Sequence, residues 1–362
     1  MKALQIVKYG KIEDCLAFND VNKPTVLAND VLIEVQAAAI NPIDKSIILG
    51  NLQGVLPIPL PSTSAYDVSG IVVEKGNEVS NFEIGDLVYS RVPQEQMGTL
   101  AEYVAVNSNA VSKKPDNISF EKAAGLPLAG LTALQSLEYA GIKENDKVLI
   151  HAGSGGVGSF AIQYAKAKGA YVYTTTSTSN VRWVKELGAD RVIDYKTEDY
   201  KSIAKDVDIV FDTLGQKYSL ESFGVVKNGG IVVSVVGPLD EASAKMFGIA
   251  DYKLPEELNK ASIDKNADYK FIFMHPNGEH LNEIKTMIEE EKIKPIIDKV
   301  YPFSDSIKAF NHLASGRAKG KIIINGTALN ATILSQIKFY NAAAETTHGA
   351  LQLGTKEVVA GN

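Results

Sequence analysis

The amino-acid sequence predicts an α/β protein, a β-rich region leading into a doubly wound parallel sheet. Three observations carry that prediction. The first third alternates short strand-like runs with Asn, Asp and Gly turns. From residue 147 onward, short apolar runs alternate with helical stretches, the grammar of right-handed βαβ units. Between the first of those runs and its helix lies a loop with glycines at 153, 155 and 158. At about 150 residues per domain, the 362-residue chain makes about two domains.

The elements follow in order. Met1-Lys2-Ala3-Leu4 enters directly into a strand, so no signal peptide is expected. Val31–Ala39 and Ile71–Glu74 read as strands, bounded by turns at Asn29-Asp30 and Gly76-Asn77; Leu87–Arg91 and Ala101–Val106 continue the pattern. The prolines of Leu56–Pro61 make an extended connection. An alanine-rich helix over Ala123–Ala140, interrupted near Pro127, then opens the alternating part. Strands are expected at Lys147–His151, Tyr171–Thr175, Arg191–Ile193, Asp208–Phe211, Gly230–Val236 and Lys270–Phe273, with helices at Val157–Lys168 and Val181–Leu187. A charged helix, Glu279–Glu291, and a strand–helix–strand run complete the chain to Ile324. From Thr327 the composition is small and polar, with a short amphipathic piece at Ile333–Tyr340, and the tail reads as a mobile extension or as a docked helix.

Composition narrows the function classes. Apolar residues make up 45% and charged residues 22%, as in an ordinary globular protein. Net charge is −6 with no long basic stretch, which argues against nucleic-acid binding. A single cysteine, Cys15, excludes an internal disulfide framework and a multi-thiolate metal site, and suggests a reducing, cytoplasmic setting. The longest apolar run is broken by glycine and proline and is too short to span a bilayer, so no integral membrane segment is expected.

The segment Val148–Gly158 carries the chemistry. Gly153, Gly155 and Gly158 satisfy G-x-G-x-x-G between a strand and a helix, the context in which the motif binds a dinucleotide. The first glycine permits the tight turn, the second admits the pyrophosphate to the backbone, and the third lets helix and strand pack closely. Ser154, Gly156 and Val157 complete the loop, where the helix N-terminus offers N–H donors to an anion. The carboxylate that would hold an NAD ribose, about 20 residues on, is missing. No Asp or Glu stands between Gly158 and Glu186; the second strand ends instead in Thr176, Ser177 and Asn180, with Arg182 beyond. Hydroxyls, an amide and a guanidinium suit a 2′-phosphate, so NADPH is expected over NADH.

With those residues in hand, the chain resembles the zinc-free medium-chain dehydrogenases/reductases, in the quinone oxidoreductase (zeta-crystallin-like) branch, nearest its chloroplast-envelope and enone-reductase subgroup. The resemblance runs from about residue 1 to 326. It rests on AAAINPID at 37–44, DVSG at 67–70, GDLVY at 85–89, GTLAEY at 98–103, AAGLPLAGLT at 123–132, the glycine loop, LGADRVIDY at 187–195 and GRAKGK at 316–321. It implies a GroES-like catalytic domain from 1–122 and 275–326, a Rossmann NADP(H)-binding domain at 123–274, and a C-terminal extension at 327–362. A homodimer is implied too, through a Rossmann edge strand near Ile231–Val236. Residues 238–268 would shape the substrate pocket or the dimer contact.

The resemblance also implies roles. Zinc-dependent members place Cys, His and Cys where this chain has Asn41, Tyr66 and Leu128, so no metal is expected; the five histidines show no zinc spacing and read as structural or surface residues. Asn41 would face the nicotinamide, Tyr66 is the best-placed phenol, and Lys45 could stabilise an enolate. Thr132, Tyr195, Leu214, Gly215, Val235, Val236, Gly237, Phe273 and Met274 would line the cofactor, and Arg317 and Lys319 would reach its phosphates. The implied reaction is hydride transfer to a small electrophile, a quinone or an enone, at the β-carbon of the latter. Leu52 stands where many relatives carry a tyrosine and Ser46 where a lysine is usual, which weakens an enoyl-thioester reductase reading. The same departures support the other alternative, a catalytically idle NADPH-binding protein.

Overall fold

A computed structural model describes residues 1–326; the predicted extension at 327–362 lies outside the described residues. Sixteen strands are described: β1 (Lys2–Ile6), β2 (Leu16–Asp20), β3 (Asp30–Ile40), β4 (Ser62–Thr63), β5 (Asp67–Lys75), β6 (Leu87–Arg91), β7 (Tyr103–Asn107) and β8 (Val111–Lys113), then β9 (Lys147–Ile150), β10 (Tyr171–Thr176), β11 (Arg191–Asp194), β12 (Val207–Asp212), β13 (Val226–Ser234), β14 (Asp268–Phe271), β15 (Ile297–Tyr301) and β16 (Lys321–Asn325). They form three sheets. The β-rich part holds a small sheet, β2-β1-β4, and a larger one, β15-β16-β3-β5-β6-β8, with β7 also on β3. The long strand β3 draws both ends of the chain together, pairing antiparallel with β5, β7 and β16.

The alternating segment forms a six-stranded sheet in the order β11-β10-β9-β12-β13-β14, parallel throughout. Val148, Leu149 and Ile150 are fully buried, as expected of a central parallel strand covered on both faces. The order reverses beside β9, where a ligand crevice forms at the carboxyl ends of the strands. This is the doubly wound α/β arrangement, joined to a GroES-like β-rich domain. No described helix is long and apolar enough to cross a membrane.

One expectation needs correcting, and the structure adds detail at three other places. Ile231–Ser234 is not a sheet edge: β13 is flanked by β12 and β14, so its backbone is already paired on both sides. The edge strand is β14, which spans Asp268–Phe271 and leaves Phe273 and Met274 on the loop beyond it. Residues 42–48 form a helix, Pro42–Ile48, begun by Asn41 at its N-cap and Pro at its first turn. Residues 238–268 contain two helices, Glu241–Met246 and Glu256–Lys265. At Pro127 the expected interruption takes the form of two helices, Phe120–Ala124 and Pro127–Tyr139.

Candidate active site

The glycine loop is built from close contacts. Gly153 lies against Thr174 and Ile162, where a Cβ would stand 2.9 Å from Ile162 Cδ1. A Cβ on Gly158 would run into the Ala152 carbonyl and stand 2.9 Å from Gly153 Cα. Gly155 is different, for a Cβ there meets only Ala152 O at 3.5 Å. The helix Gly156–Ala167 follows at once, and its first turn leaves N–H groups without intrahelical partners. The return segment closes over this loop: Gly155 and Gly320 form a bridge, and Gly320 N donates to Ser154 O at 3.0 Å.

A cavity of about 770 Å³ opens there. Its wall includes the expected Ser154, Thr176, Ser177, Asn180, Tyr195, Leu214, Arg317 and Lys319. Ser179, from the same hydroxyl-rich strand end, joins them, and Lys196, Tyr200, Tyr218 and His151 also line it, none of these four expected. Three cations and no carboxylate stand on that wall, and with the helix N-terminus they suit an anion. Arg182 is not on it; its side chain is 95% exposed and leans toward Glu186 one turn on, 3.6 Å away. His151 is buried, which pushes its pKa down to about 4; its Nδ1 meets Thr175 Oγ1 at 3.2 Å and its Nε2 has no partner. At the end of β12, Asp212 ties the neighbouring loops. It accepts from Leu214 N, Gly215 N and Ser219 Oγ at 2.8, 2.9 and 2.6 Å, and from Ser234 Oγ on β13. Gly215 sits at φ +71°, a conformation that favours glycine. Val235 packs on the core, whereas Val236, just before Gly237, is exposed.

The remaining expected residues lie where the β-rich sheet meets this crevice. Asn41 caps the helix Pro42–Ile48, its backbone N–H bonding Asp44 Oδ2 at 2.6 Å. Its amide donates to Asp67 Oδ2 at 2.9 Å and accepts from Lys321 Nζ. Asp67, fully buried, also accepts from Lys321 Nζ at 3.2 Å and from Leu128 N at 2.9 Å. Asn41 therefore has both ends of its amide engaged within the protein. Tyr66 is fully buried, donates its hydroxyl to Gln94 Oε1 at 2.7 Å, and has its pKa pushed up by burial and by the Asp44 charge. Lys45 is half-buried and lines neither this cavity nor the one described below. Thr132, on the helix Pro127–Tyr139, spends its hydroxyl proton on Leu128 O at 2.7 Å. Among the described residues no group of three His, Cys, Asp or Glu could hold a metal ion.

Asp44 is the titrating member of this buried group. Burial, reinforced by Asp67, raises its pKa to about 7, while one carboxylate oxygen has no partner. The folded state thus holds its proton more tightly than the unfolded chain. Its contribution to stability is complete below about pH 4 and is lost as pH rises to 7. The Asp44→Asn variant keeps an acceptor for the cap and should flatten that fall, measured as urea midpoints between pH 4.5 and 7.5. A slope identical to wild type would remove Asp44 as its source.

Comparison with known proteins identifies the family to which this fold belongs. An alcohol dehydrogenase GroES-like domain matches residues 27–116, and the zinc-binding dehydrogenase family matches residues 187–324. The 2-methylene-furan-3-one reductase of Solanum lycopersicum is 36% identical over 335 residues, 90% of this chain and 79% of that protein. The chain belongs to the medium-chain dehydrogenase/reductase family. Another member, the chloroplastic NADPH-dependent alkenal/one oxidoreductase of Arabidopsis thaliana, is 34% identical, with 90% of this chain and 79% of that one covered. The quinone oxidoreductase of Coxiella burnetii superposes with a TM-score of 0.80 at 35% identity, covering 90% of this chain and 99% of that one. As a member of the quinone oxidoreductase branch, the chain is an oxidoreductase.

Sequence reasoning missed Lys196, His151, Asp67, Lys321 and Arg91. Lys321 was open to discovery, since it ends the GRAKGK segment. What hid it was distance along the chain, 280 residues from Asn41.

Proposed function

We propose that this oxidoreductase is an NADPH-dependent, zinc-independent reductase of quinones or of α,β-unsaturated carbonyl compounds. The observation that carries the reading is the 770 Å³ cavity at the glycine loop, with three cations, the hydroxyl or amide side chains of Ser154, Thr176, Ser177, Ser179 and Asn180 and, among the described residues, no carboxylate. Such a wall suits a dinucleotide with an additional phosphate. The names of the plant relatives support the electrophile class.

The glycine loop and the helix start at Gly156 would hold the pyrophosphate, and Gly158 keeps the two close. Thr176, Ser177 and Asn180 would take the ribose phosphate with Lys196, and Arg317 and Lys319 would close the cavity from the return segment. Leu214, Val235 and Val236 would bring the strand ends against the ring, with Phe273 and Met274 beyond. When bound, the reduced cofactor supplies two electrons and one hydrogen; the protein orients the electrophile and stabilises charge on its oxygen. Neither zinc-type ligation nor an acid–base pair is needed for that.

Initial rates of cofactor oxidation with a small α,β-unsaturated ketone test the reading, with NADH as the matched control. Turnover that prefers NADPH supports it. Tight NADPH binding with no turnover over a panel of enones and quinones would favour an idle binder instead. Lys196→Gln tests the phosphate site: losing one charge-assisted hydrogen bond of about 1.5–3 kcal/mol should weaken NADPH roughly 10- to 100-fold and leave NADH unchanged. Arg182→Gln should change neither. Equal losses for both cofactors in Lys196→Gln would sink the assignment.

A further inference from the structure

A second cavity, of about 670 Å³, opens between the loop after β6 and the segment after β14. Met246, Phe273 and Met274 give its wall an apolar side, and much of the rest of the lining is polar, with Arg91 and Gln94, the carboxylates Asp30 and Glu95, and further amides. Arg91 ends β6 directly opposite Asp67, so the two side chains share a face. It is only 2% exposed, and its guanidinium lies over the Tyr66 ring at 4.5 Å. Among the described residues one of its five N–H donors is engaged, from Nη1 to Val92 O at 2.9 Å, and Nε is buried without a partner. Asp67 and Asp44 are close enough to act on it electrostatically, but Asp67 already serves Lys321, and neither forms an ion pair with Arg91 among the described residues. Gln94 repeats the pattern. Its Oε1 takes the Tyr66 hydroxyl, while its Nε2 is buried and unpaired.

A buried cation and an amide with spare donors, opposite the apolar wall of Met246, Phe273 and Met274, fit a planar ligand that carries an acceptor oxygen. We infer that this cavity seats the electrophile, and that Arg91 and Gln94 bind its carbonyl oxygen. The inference rests on the reduction proposed above. When a hydrogen with its electron pair passes from the reduced nicotinamide to the β-carbon, the C=C pair shifts and the carbonyl oxygen becomes an enolate. Arg91 stays protonated throughout and stabilises that charge by a charge-assisted hydrogen bond. The proton that completes the product reaches the α-carbon from solvent. Tyr66 has its one proton committed to Gln94, and Asn41 offers only a neutral amide, one N–H of which already serves Asp67, so neither can match the guanidinium.

The test uses the full chain with NADP⁺ and 4-nitrophenol, an enolate-like probe whose ionised form absorbs visibly. At a pH where the free probe is mostly neutral, the wild-type protein should bind it as the phenolate. Arg91→Gln should lose that spectrum, bind NADPH as wild type does, and lose roughly 10²- to 10³-fold in kcat/KM for a small enone, the usual cost of one oxyanion donor. Arg91→Lys keeps a cation and should recover part of both. If Arg91→Gln turns over and binds the probe like wild type, the role is wrong while the reductase reading stands. If the wild type turns over no electrophile, both readings fall. Should Arg91→Gln not fold, Arg91→Lys and Gln94→Leu decide, and an unshifted probe spectrum in both overturns the inference.

Discussion

Gly158→Val should lose cofactor binding while keeping its fold. A side chain at this position meets backbone, not side chains: the Ala152 carbonyl and Gly153 Cα both stand within van der Waals contact of any Cβ. Backbone of a tight loop cannot rotate aside, so the loop and the start of the helix Gly156–Ala167 must separate. Overpacking of this kind costs about 1–3 kcal/mol of stability. The larger effect falls on the ligand, since an ångström of displacement at a positioned group costs about 10²-fold. The NADPH dissociation constant should therefore rise at least ~100-fold, about 2.7 kcal/mol, with the circular dichroism spectrum retained. Gly155→Ala separates the two causes. Its Cβ touches no protein atom more closely than 3.5 Å, so stability should hold while binding weakens through lost ligand space. Wild-type affinity in Gly158→Val, measured by NADPH fluorescence titration, would remove the glycine loop from the cofactor site.

Much of this was legible because its signals are local. The strand Lys147–Ile150 shows as a buried apolar run, the loop as spaced glycines, and the helix as the apolar stretch behind them. Leu87–Arg91 could be read to the residue, bounded as it is by Gly85-Asp86 and Pro93. The helix Pro42–Ile48 escaped because it is short and its cap, Asn41, equally suits a turn before proline. The sheet edge was misplaced because strand order is a property of tertiary pairing: the apolar run Ile231–Ser234 pairs with β14 only through the fold, and local spacing does not reveal that partner. Side-chain direction was hidden for the same reason. Arg182 has the right charge beside the right loop, yet points to solvent, whereas Lys196 follows a tyrosine in an unremarkable turn and reaches the cavity wall. The polar cluster of Asn41, Asp67, Arg91 and Lys321 joins segments scattered along the chain, and no spacing rule connects them.

Lys321 joins that cluster to the glycine loop, and removing its charge should be the most damaging single change for stability. Its stem runs beside Gly156, where a Cβ would stand 2.7 Å from Lys321 Cδ, and its ammonium ends on Asn41 and Asp67. Asp67 is fully buried, so its charge depends on this cation and on the Asn41 and Leu128 N–H groups. Lys321→Met keeps the stem's bulk and deletes only the cation. Two neutral donors and the unpaired Arg91 guanidinium nearby remain, which do not replace a direct ion pair, and breaking such a pair typically costs about 3–5 kcal/mol. Asp67→Asn in the same background removes the stranded charge and retains acceptors for Asn41 and Leu128. The double variant should therefore be more stable than Lys321→Met alone, with a coupling of about 2 kcal/mol or more between the sites. Urea midpoints for the four proteins of the cycle measure it. If Lys321→Met unfolds within about 1 kcal/mol of wild type, the ammonium is not what holds Asn41 against the crevice.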